Sequence, residues 1–390
     1  MRKNYFLLVY FLFSTLVGVA QYKQLSNTAE VSIITAGPGT ILYEGFGHSA
    51  IRIKDTNFDL VYNYGFFDFN APNFYLNFAK GRLLYKLERY PFHYFLRSYQ
   101  KDKRWVKEQL LNLTQKEKQQ FFEYLENNAK PENATYFYDP FYNNCATKLR
   151  EITEIVLKDN VRFKDNHINT QQSFRQLMNQ KLPWNTWGSF GINLALGSKL
   201  DKVADAKEHM YLPDFVYIGF NNATVNRDGK SENLVKTDRT ILKFDELRIK
   251  SSVVSPIFVF CLISLLGIFI TYKDVKRRKR TKWLDFVLFF TTGLLGVLVL
   301  LLWFFTNHST TPNNFNFLWA FAPNLIVAFM LSKTNNWIKK YIWILIVLLV
   351  VIPFIWFSKI QLFSLAILPL LLLLIVRYVV LVKYLLPSKK

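Results

Sequence analysis

From Val253 onward the chain carries five apolar segments: Val253–Tyr272, Leu284–Phe305, Phe315–Leu331, Tyr341–Phe357 and Leu362–Val382. Each is close to the roughly 17–25 residues that a helix needs to cross a bilayer. In hydrocarbon the backbone must satisfy its own hydrogen bonds, so such segments admit helices and little else. Residues 253–390 are therefore expected to form an all-α domain of five transmembrane helices. The connections between them sort by charge. Lys273 to Lys282 is heavily basic, Lys333, Lys339 and Lys340 follow the third segment, and Lys383, Lys389 and Lys390 lie near the end. The stretches 306–314 and 358–361 carry one lysine between them. Basic connections stay in the cytoplasm, which places the C-terminus there and, after an odd number of crossings, puts everything before Val253 outside.

The start of the chain agrees. Arg2 and Lys3 precede an apolar run from Tyr5 to Val19 that closes on Gly18-Val19-Ala20, the pattern of a secretory signal over residues 1–20 cut after Ala20, or of an uncleaved anchor with the same orientation. Residues 21–252 are then an exported domain. The formal charge of +21 invites a nucleic-acid reading, but residues 21–252 hold 32 Lys+Arg against 26 Asp+Glu, leaving +6. Most of the excess is topology signal, and no nucleic-acid partner is expected.

The chain has two cysteines, and Cys261 lies within the first apolar segment. Cys145 is thus the sole thiol of the exported part and has no internal disulfide partner; in an oxidising compartment such a thiol is a liability unless buried or used. Its context is Tyr142-Asn143-Asn144-Cys145-Ala146-Thr147, after which Leu149, Ile152 and Val156 repeat at helical spacing. Asn143 or Asn144 is the expected N-cap. A cysteine in the first turn feels the free N–H groups and positive end of the helix, which favour thiolate. The same pattern also describes an ordinary capped helix.

Further upstream, Ser49/Ile51/Ile53 alternate with Ala50/Arg52/Lys54, and Asp55-Thr56-Asn57-Phe58 reads as the turn of a hairpin into Asp59–Gly65. His48 stands at the start of the first of these strands. If Lys54 pairs with Asp59, His48 falls opposite Gly65 with Asn63 diagonal on the same face; a slip of one residue would substitute Tyr64 or Tyr62. His93 is a second histidine candidate. Thr114-Gln115-Lys116-Glu117 is a capping box, residues 131–140 are a tyrosine-rich loop, and residues 221–252 read as a polar return segment. Between Phe74 and Trp105, aromatics interleave with Arg and Lys in a manner suited to a headgroup layer or to an aromatic core with a solvated basic surface. The chain contains no HExxH, CxxC or phosphate-binding glycine loop, so neither a metal nor a cofactor is expected.

Gly47-His48-Ser49-Ala50-Ile51, then Asn63-Tyr64-Gly65, then Asn143-Asn144-Cys145-Ala146-Thr147 before a helix, resemble in their order the circularly permuted papain-like (NlpC/P60, LRAT-like) thiol enzymes. More closely, the chain resembles the Lnb family of bacterial lipoprotein N-acyltransferases, at these motifs, at Leu110–Thr114, and in architecture through the spans. The resemblance implies an α+β papain-like exported domain followed by the membrane helices. It also implies Cys145 as nucleophile and His48 as base; Asn63 is the geometric choice for a third residue. The implied substrates are a membrane phospholipid as acyl donor and a diacylated lipoprotein as acceptor. Two other readings use the same features: a membrane-anchored cysteine peptidase or amidase acting on peptidoglycan, and a receptor in which Cys145 is dispensable. Within the spans, Asn324 and Arg377 are polar groups that either line a lipid groove or serve structure, Asn324 by repairing backbone hydrogen bonding freed by Pro323 and Arg377 by snorkelling to the cytoplasmic surface.

Overall fold

The computed structural model describes residues 23–68, 70–168, 170–331 and 336–385; the N-terminal run read as a signal lies outside the described residues. Strand β1 (Glu30–Ala36) pairs antiparallel with β2 (His48–Asp55), and β2 with β3 (Phe58–Phe66) through Lys54↔Asp59 and Ile51↔Tyr62. This is the register that sets Asn63 diagonal to His48, and not the one-residue slip. Helix α1 (Phe74–Ala79), β4 (Leu84–Pro91), α2 (Phe92–Lys101), β5 (Val106–Leu111), α3 (Gln115–Asn128), β6 (Thr135–Phe137) and α4 (Cys145–Leu157) follow. After the two-residue β7 (Val161–Arg162) come α5 (Phe174–Lys181), α6 (Trp187–Ala195), α7 (Pro213–Asn222), β8 (Thr224–Arg227), β9 (Lys230–Asn233) and β10 (Val235–Leu242).

Seven strands form one sheet in the order β10-β5-β1-β2-β3-β4-β6, antiparallel throughout. Period-two alternation divides its residues between two cores. Val31, Ile33, Ile51, Ile53, Tyr62 and Tyr64 face α3, α4 and α7, whose Phe121, Leu149, Ile152 and Phe220 complete one cluster. Ile34, Ala36, Ala50 and Val61 face the other way, onto Phe92 and Phe95 of α2. The domain is α+β, as expected. The capping box forms as read, with Thr114 and Glu117 exchanging both bonds at the start of α3. The polar return segment is a correction: part of it is β10, an edge strand paired with β5 and pinned by Arg239 donating to Glu108 at 2.6 Å. Its charged, mostly exposed side chains carry no apolar alternation, so nothing in the pattern marked it as a strand.

The C-terminal part is helical. Among the described residues four helices are long and apolar enough to cross a membrane: α8 (Pro256–Arg277), α9 (Lys282–Phe304), a span over Trp337–Phe357, and Leu365–Lys383. The third apolar segment is not a continuous helix. It forms a short turn at Phe315–Leu318, an irregular stretch to Pro323, and then α10 (Asn324–Met330). Pro323 has no N–H to donate and interrupts the ladder, and the irregular backbone lies on two glycines of α9. A Cβ at Gly296 would stand 2.1 Å from the Ala320 carbonyl, and one at Gly293 2.1 Å from the Leu325 nitrogen. The segment still runs the length of α9, since Asn314 donates to Leu194 and Ala195 at one end while Leu331 accepts from Arg280 at the other. Among the described residues the bundle is thus four continuous spans and one broken one.

The two polar residues that the sequence places in the spans, Arg377 and Asn324, are both engaged. Arg377 is fully buried, donating from Nε to Asp285 at 2.7 Å and from a terminal nitrogen to Asp274 at 2.8 Å. Asn324 donates to Thr292 at 3.0 Å and accepts from Tyr341. Arg377 therefore does not snorkel, and neither residue faces a groove. The α+β domain is bound to the bundle by more than its linker. Phe190 and Leu194 of α6 belong to the bundle's apolar cluster, and Asn316 donates to the carbonyls of Asn193 and Leu194. Ser309, in the loop after α9, bonds Asp139 in the loop that leads to Cys145.

Candidate active site

Helix α4 begins at Cys145 because Asn144 caps it. Extended backbone at Asn144 lets its Oδ1 accept from the Ala146 and Thr147 N–H groups at 2.8 and 2.9 Å, while Thr147 Oγ1 accepts from the Asn144 N–H at 2.8 Å. The cap is itself anchored: its amide donates to Pro140 at 2.7 Å and Tyr211 at 2.9 Å. Asn144 rather than Asn143 is the N-cap; Asn143 instead ties the loop to the Phe137 carbonyl at 2.7 Å. Asp139 accepts from the Phe141 and Tyr142 N–H groups at 2.8 and 3.0 Å, an Asx turn that completes the approach. Cys145 emerges buried, 9% exposed, at the positive end of the helix.

His48 is delivered by β2. Gly47 before it has φ +78°, and a Cβ there would meet the Ala36 carbonyl at 2.8 Å, so only glycine turns the chain into the strand at this point. His48 and Asn63 share a sheet face, as the register requires. The ring's Nε2 lies 2.6 Å from Asn63 Oδ1, and the Asn63 amide donates onward to Tyr90 Oη at 3.0 Å. Since Asn63 presents its carbonyl oxygen, Nε2 carries the proton, and Nδ1 is the nitrogen left for Cys145.

The thiol and the imidazole come from opposite sides of the sheet and meet over Gly65. Pairing between β3 and β4 slips between Asn63 and Phe66, and Gly65 takes φ +92° there. A Cβ on Gly65 would lie 3.8 Å from that of Cys145, 3.7 Å from the Tyr138 ring and 3.9 Å from Tyr136 Oη. Removing that side chain opens the sheet to the thiol. Burial alone would raise the Cys145 pKa, but the His48 charge, the hydrogen bond from His48 and the N–H groups of Ser49 and Ala146 bring it below the usual thiol value. Burial alone would lower that of His48; the Cys145 charge and bonds to Cys145 and Asn63 raise it, with Arg104 opposing. Both shifts favour a thiolate–imidazolium pair.

Tyrosines wall the site. Tyr136 Oη is buried, has the Gly65 backbone beside it and makes no full hydrogen bond in the protein; burial beside Cys145 pushes its pKa up against the Gly65 contact, keeping it a neutral donor. Tyr138 stacks on Tyr85, ring centroids 4.3 Å apart. Sequence reading saw a tyrosine-rich loop there but assigned it no role. Cys145, His48 and Asn63 are brought together; His93 is not. It stacks beside Tyr94 and lines a charged cavity with Arg52, Asp59, Glu108 and Arg239. Among the described residues no three His, Cys, Asp or Glu side chains are grouped as a metal site needs.

An α+β domain with a capped cysteine, a paired histidine and a helical membrane bundle defines a membrane-anchored protein built around one buried thiol. A family model described as the Lnb N-terminal periplasmic domain matches residues 19–187, and one described as the Lnb transmembrane domain matches residues 248–389. The chain belongs to the Lnb family: a membrane-anchored enzyme of lipoprotein biogenesis, with its N-terminal part in the periplasm. No curated protein and no solved structure matches it.

Proposed function

We propose that this protein is a lipoprotein N-acyltransferase that carries an acyl chain on Cys145. The observation that carries the reading is the thiol hydrogen-bonded to His48, itself held by Asn63. The Cys145 thiolate attacks the ester carbonyl of a membrane phospholipid, and the tetrahedral oxyanion collapses by breaking the C–O bond to the lyso-lipid. His48, protonated in the resting pair, gives its proton to the departing alkoxide and becomes neutral. The free α-amine of a diacylated lipoprotein's N-terminal cysteine then attacks the thioester. His48 takes the amine proton, the amide forms, and the thiolate leaves, restoring the pair. Asn63 fixes the ring so that Nδ1 addresses the thiol in both halves.

The Asn144 cap occupies the Ala146 and Thr147 N–H groups, so they do not serve the oxyanion. The Cys145 N–H, which the cap leaves, and the Tyr136 hydroxyl, which makes no full hydrogen bond in the protein, are the donors in this reading. Residues 21–252 form the periplasmic catalytic domain and residues 253–390 the anchor in the inner membrane, with the C-terminus cytoplasmic; both substrates then share the bilayer in which the enzyme stands. The test is N-acylation of a reporter lipoprotein, followed by mass spectrometry in a strain that relies on this gene. Cys145→Ala and His48→Ala abolish it. Unchanged acylation sinks the proposal, and altered muropeptides with unchanged acylation move the site to peptidoglycan hydrolysis.

A further inference from the structure

The apolar surface around α1 is unused by the chemistry above. None of the six residues of α1 is buried, and Tyr75, Leu76 and Phe78 are 73%, 52% and 50% exposed. Contiguous exposed apolar groups on a rigid element mark a binding face. What that face meets is set by its attachments. The Asn307 N–H donates to the Lys80 carbonyl at 2.8 Å, and the Phe78 ring lies 6.4 Å from that of His308. Gly81, at φ +71°, sits so close that a Cβ would stand 2.5 Å from the His308 nitrogen. Asn307 and His308 follow directly on the end of α9, where Phe304 and Phe305 are exposed. Helix α1 is thereby held at the level where a membrane-crossing helix leaves the bilayer. Lys80 and Arg82 follow α1 directly, whereas Lys86 is paired with Glu88 at 2.7 Å; exposed apolar side chains with cations beside them are what a phospholipid interface binds.

Aromatic rings lead from this face to the thiol. Phe78 and Phe74 have centroids 6.2 Å apart, Phe74 and Phe67 6.0 Å, Phe67 and Tyr85 4.9 Å, and Tyr85 and Tyr138 4.3 Å. Tyr138 and Cys145 then both border the space above Gly65.

We infer that α1 and this wall of rings are the lipid-loading surface. Helix α1 enters the periplasmic leaflet, Lys80 and Arg82 meet phosphate, and a phospholipid acyl chain lies along Phe74, Phe67 and Tyr85 with its ester at Cys145. Only the last element rests on the acyl-transfer reading; insertion of α1 does not. The full chain, with benzoylphenylalanine in place of Leu76, is reconstituted in vesicles of phosphatidylethanolamine and phosphatidylglycerol, irradiated, digested and weighed. A phospholipid adduct on the peptide containing position 76 is expected, and none when the same group replaces Ile155, an exposed residue of α4. Labelling at 76 no greater than at 155 overturns the inference. An adduct at 76 with no acyl group ever found on Cys145 keeps the docking surface and sinks the acyl-transfer reading; acylated Cys145 without an adduct at 76 does the reverse. In the same vesicles, Leu76→Asp raises the lipid concentration needed for half-maximal acylation of Cys145 by about ten-fold, the size expected for replacing a buried leucine by a charge at an apolar contact; an unchanged requirement counts against the surface.

Discussion

Two buried polar clusters, one in each half of the molecule, differ in a way that separates chemistry from architecture. In the bundle, Arg377 spends its donors on Asp285, Asp274, Thr271 and the Thr281 carbonyl, and Asp285 adds Arg280 at 3.3 Å. In the α+β domain, Cys145, His48 and Asn63 are linked one to the next, but the chain of bonds ends at a nucleophile on one side and leaves the neighbouring Tyr136 hydroxyl without a full hydrogen bond. The first cluster matches one guanidinium to two aspartates drawn from two other helices, and so holds helices together. The second has no fixed charge pair; it ends in a thiol whose pKa is lowered by its histidine neighbour, a nucleophile and not a brace.

Substitutions sharpen that contrast. Cys145→Ala has the largest expected effect, complete loss of reporter N-acylation with unchanged protein levels in the membrane; loss of the protein itself would place the thiol with the structural cluster. Arg377→Leu is expected to act the opposite way. Leaving Asp274 and Asp285 buried without their cation costs about 3–5 kcal/mol, read as a lower thermal unfolding temperature in detergent and reduced accumulation. Replacing all three residues by apolar ones costs less than the single change. Asn63→Ala lowers the acyl-transfer rate about 100-fold, a smaller loss than removing His48, because the ring remains but is no longer oriented. Tyr136→Phe removes a hydroxyl that makes no full hydrogen bond in the protein, so stability changes little while the rate falls about ten-fold through loss of an oxyanion donor.

The pH dependence follows from the two shifts. With the Cys145 pKa lowered and that of His48 raised, alkylation of Cys145 by iodoacetamide stays fast below the usual thiol value and falls only as pH drops through the depressed one. Acyl transfer needs imidazolium as well, so it also declines as pH rises through the elevated His48 value, giving a bell-shaped profile. In His48→Ala the alkylation profile moves up towards an ordinary buried thiol. A profile that does not move separates the two residues functionally.

Much of this was legible in the sequence. Alternation through Ser49–Lys54 with a polar break marked the hairpin and, for a Lys54–Asp59 pairing, Asn63 beside His48; the structure selects that register over a one-residue slip. Asn144 before Cys145 announced the cap. The rest was hidden for physical reasons. Hydropathy reports how apolar Phe315–Leu331 is and not whether its backbone is continuous; Pro323 marked a local loss of backbone bonding, but not that the helix is absent from Trp319 to Pro323. Strand β10 is an exposed edge whose partner is backbone, leaving no apolar period. Tyr136 and Tyr138 lie in a short strand and loop without periodicity, and Gly65 matters through a φ angle that composition does not display. The destination of Arg377 depended on aspartates in two other helices.

The central claim is that Cys145 carries the acyl chain between two membrane substrates. Its most direct test is intact-protein mass spectrometry of the full-length enzyme after incubation with phospholipid and no acceptor. The account predicts a mass increase of one fatty-acyl group, localised to Cys145, released by hydroxylamine and discharged when a diacylated lipopeptide with a free α-amine is added. An enzyme competent in N-acylation whose Cys145 never gains that mass, or a Cys145→Ala enzyme that gains it elsewhere, contradicts it.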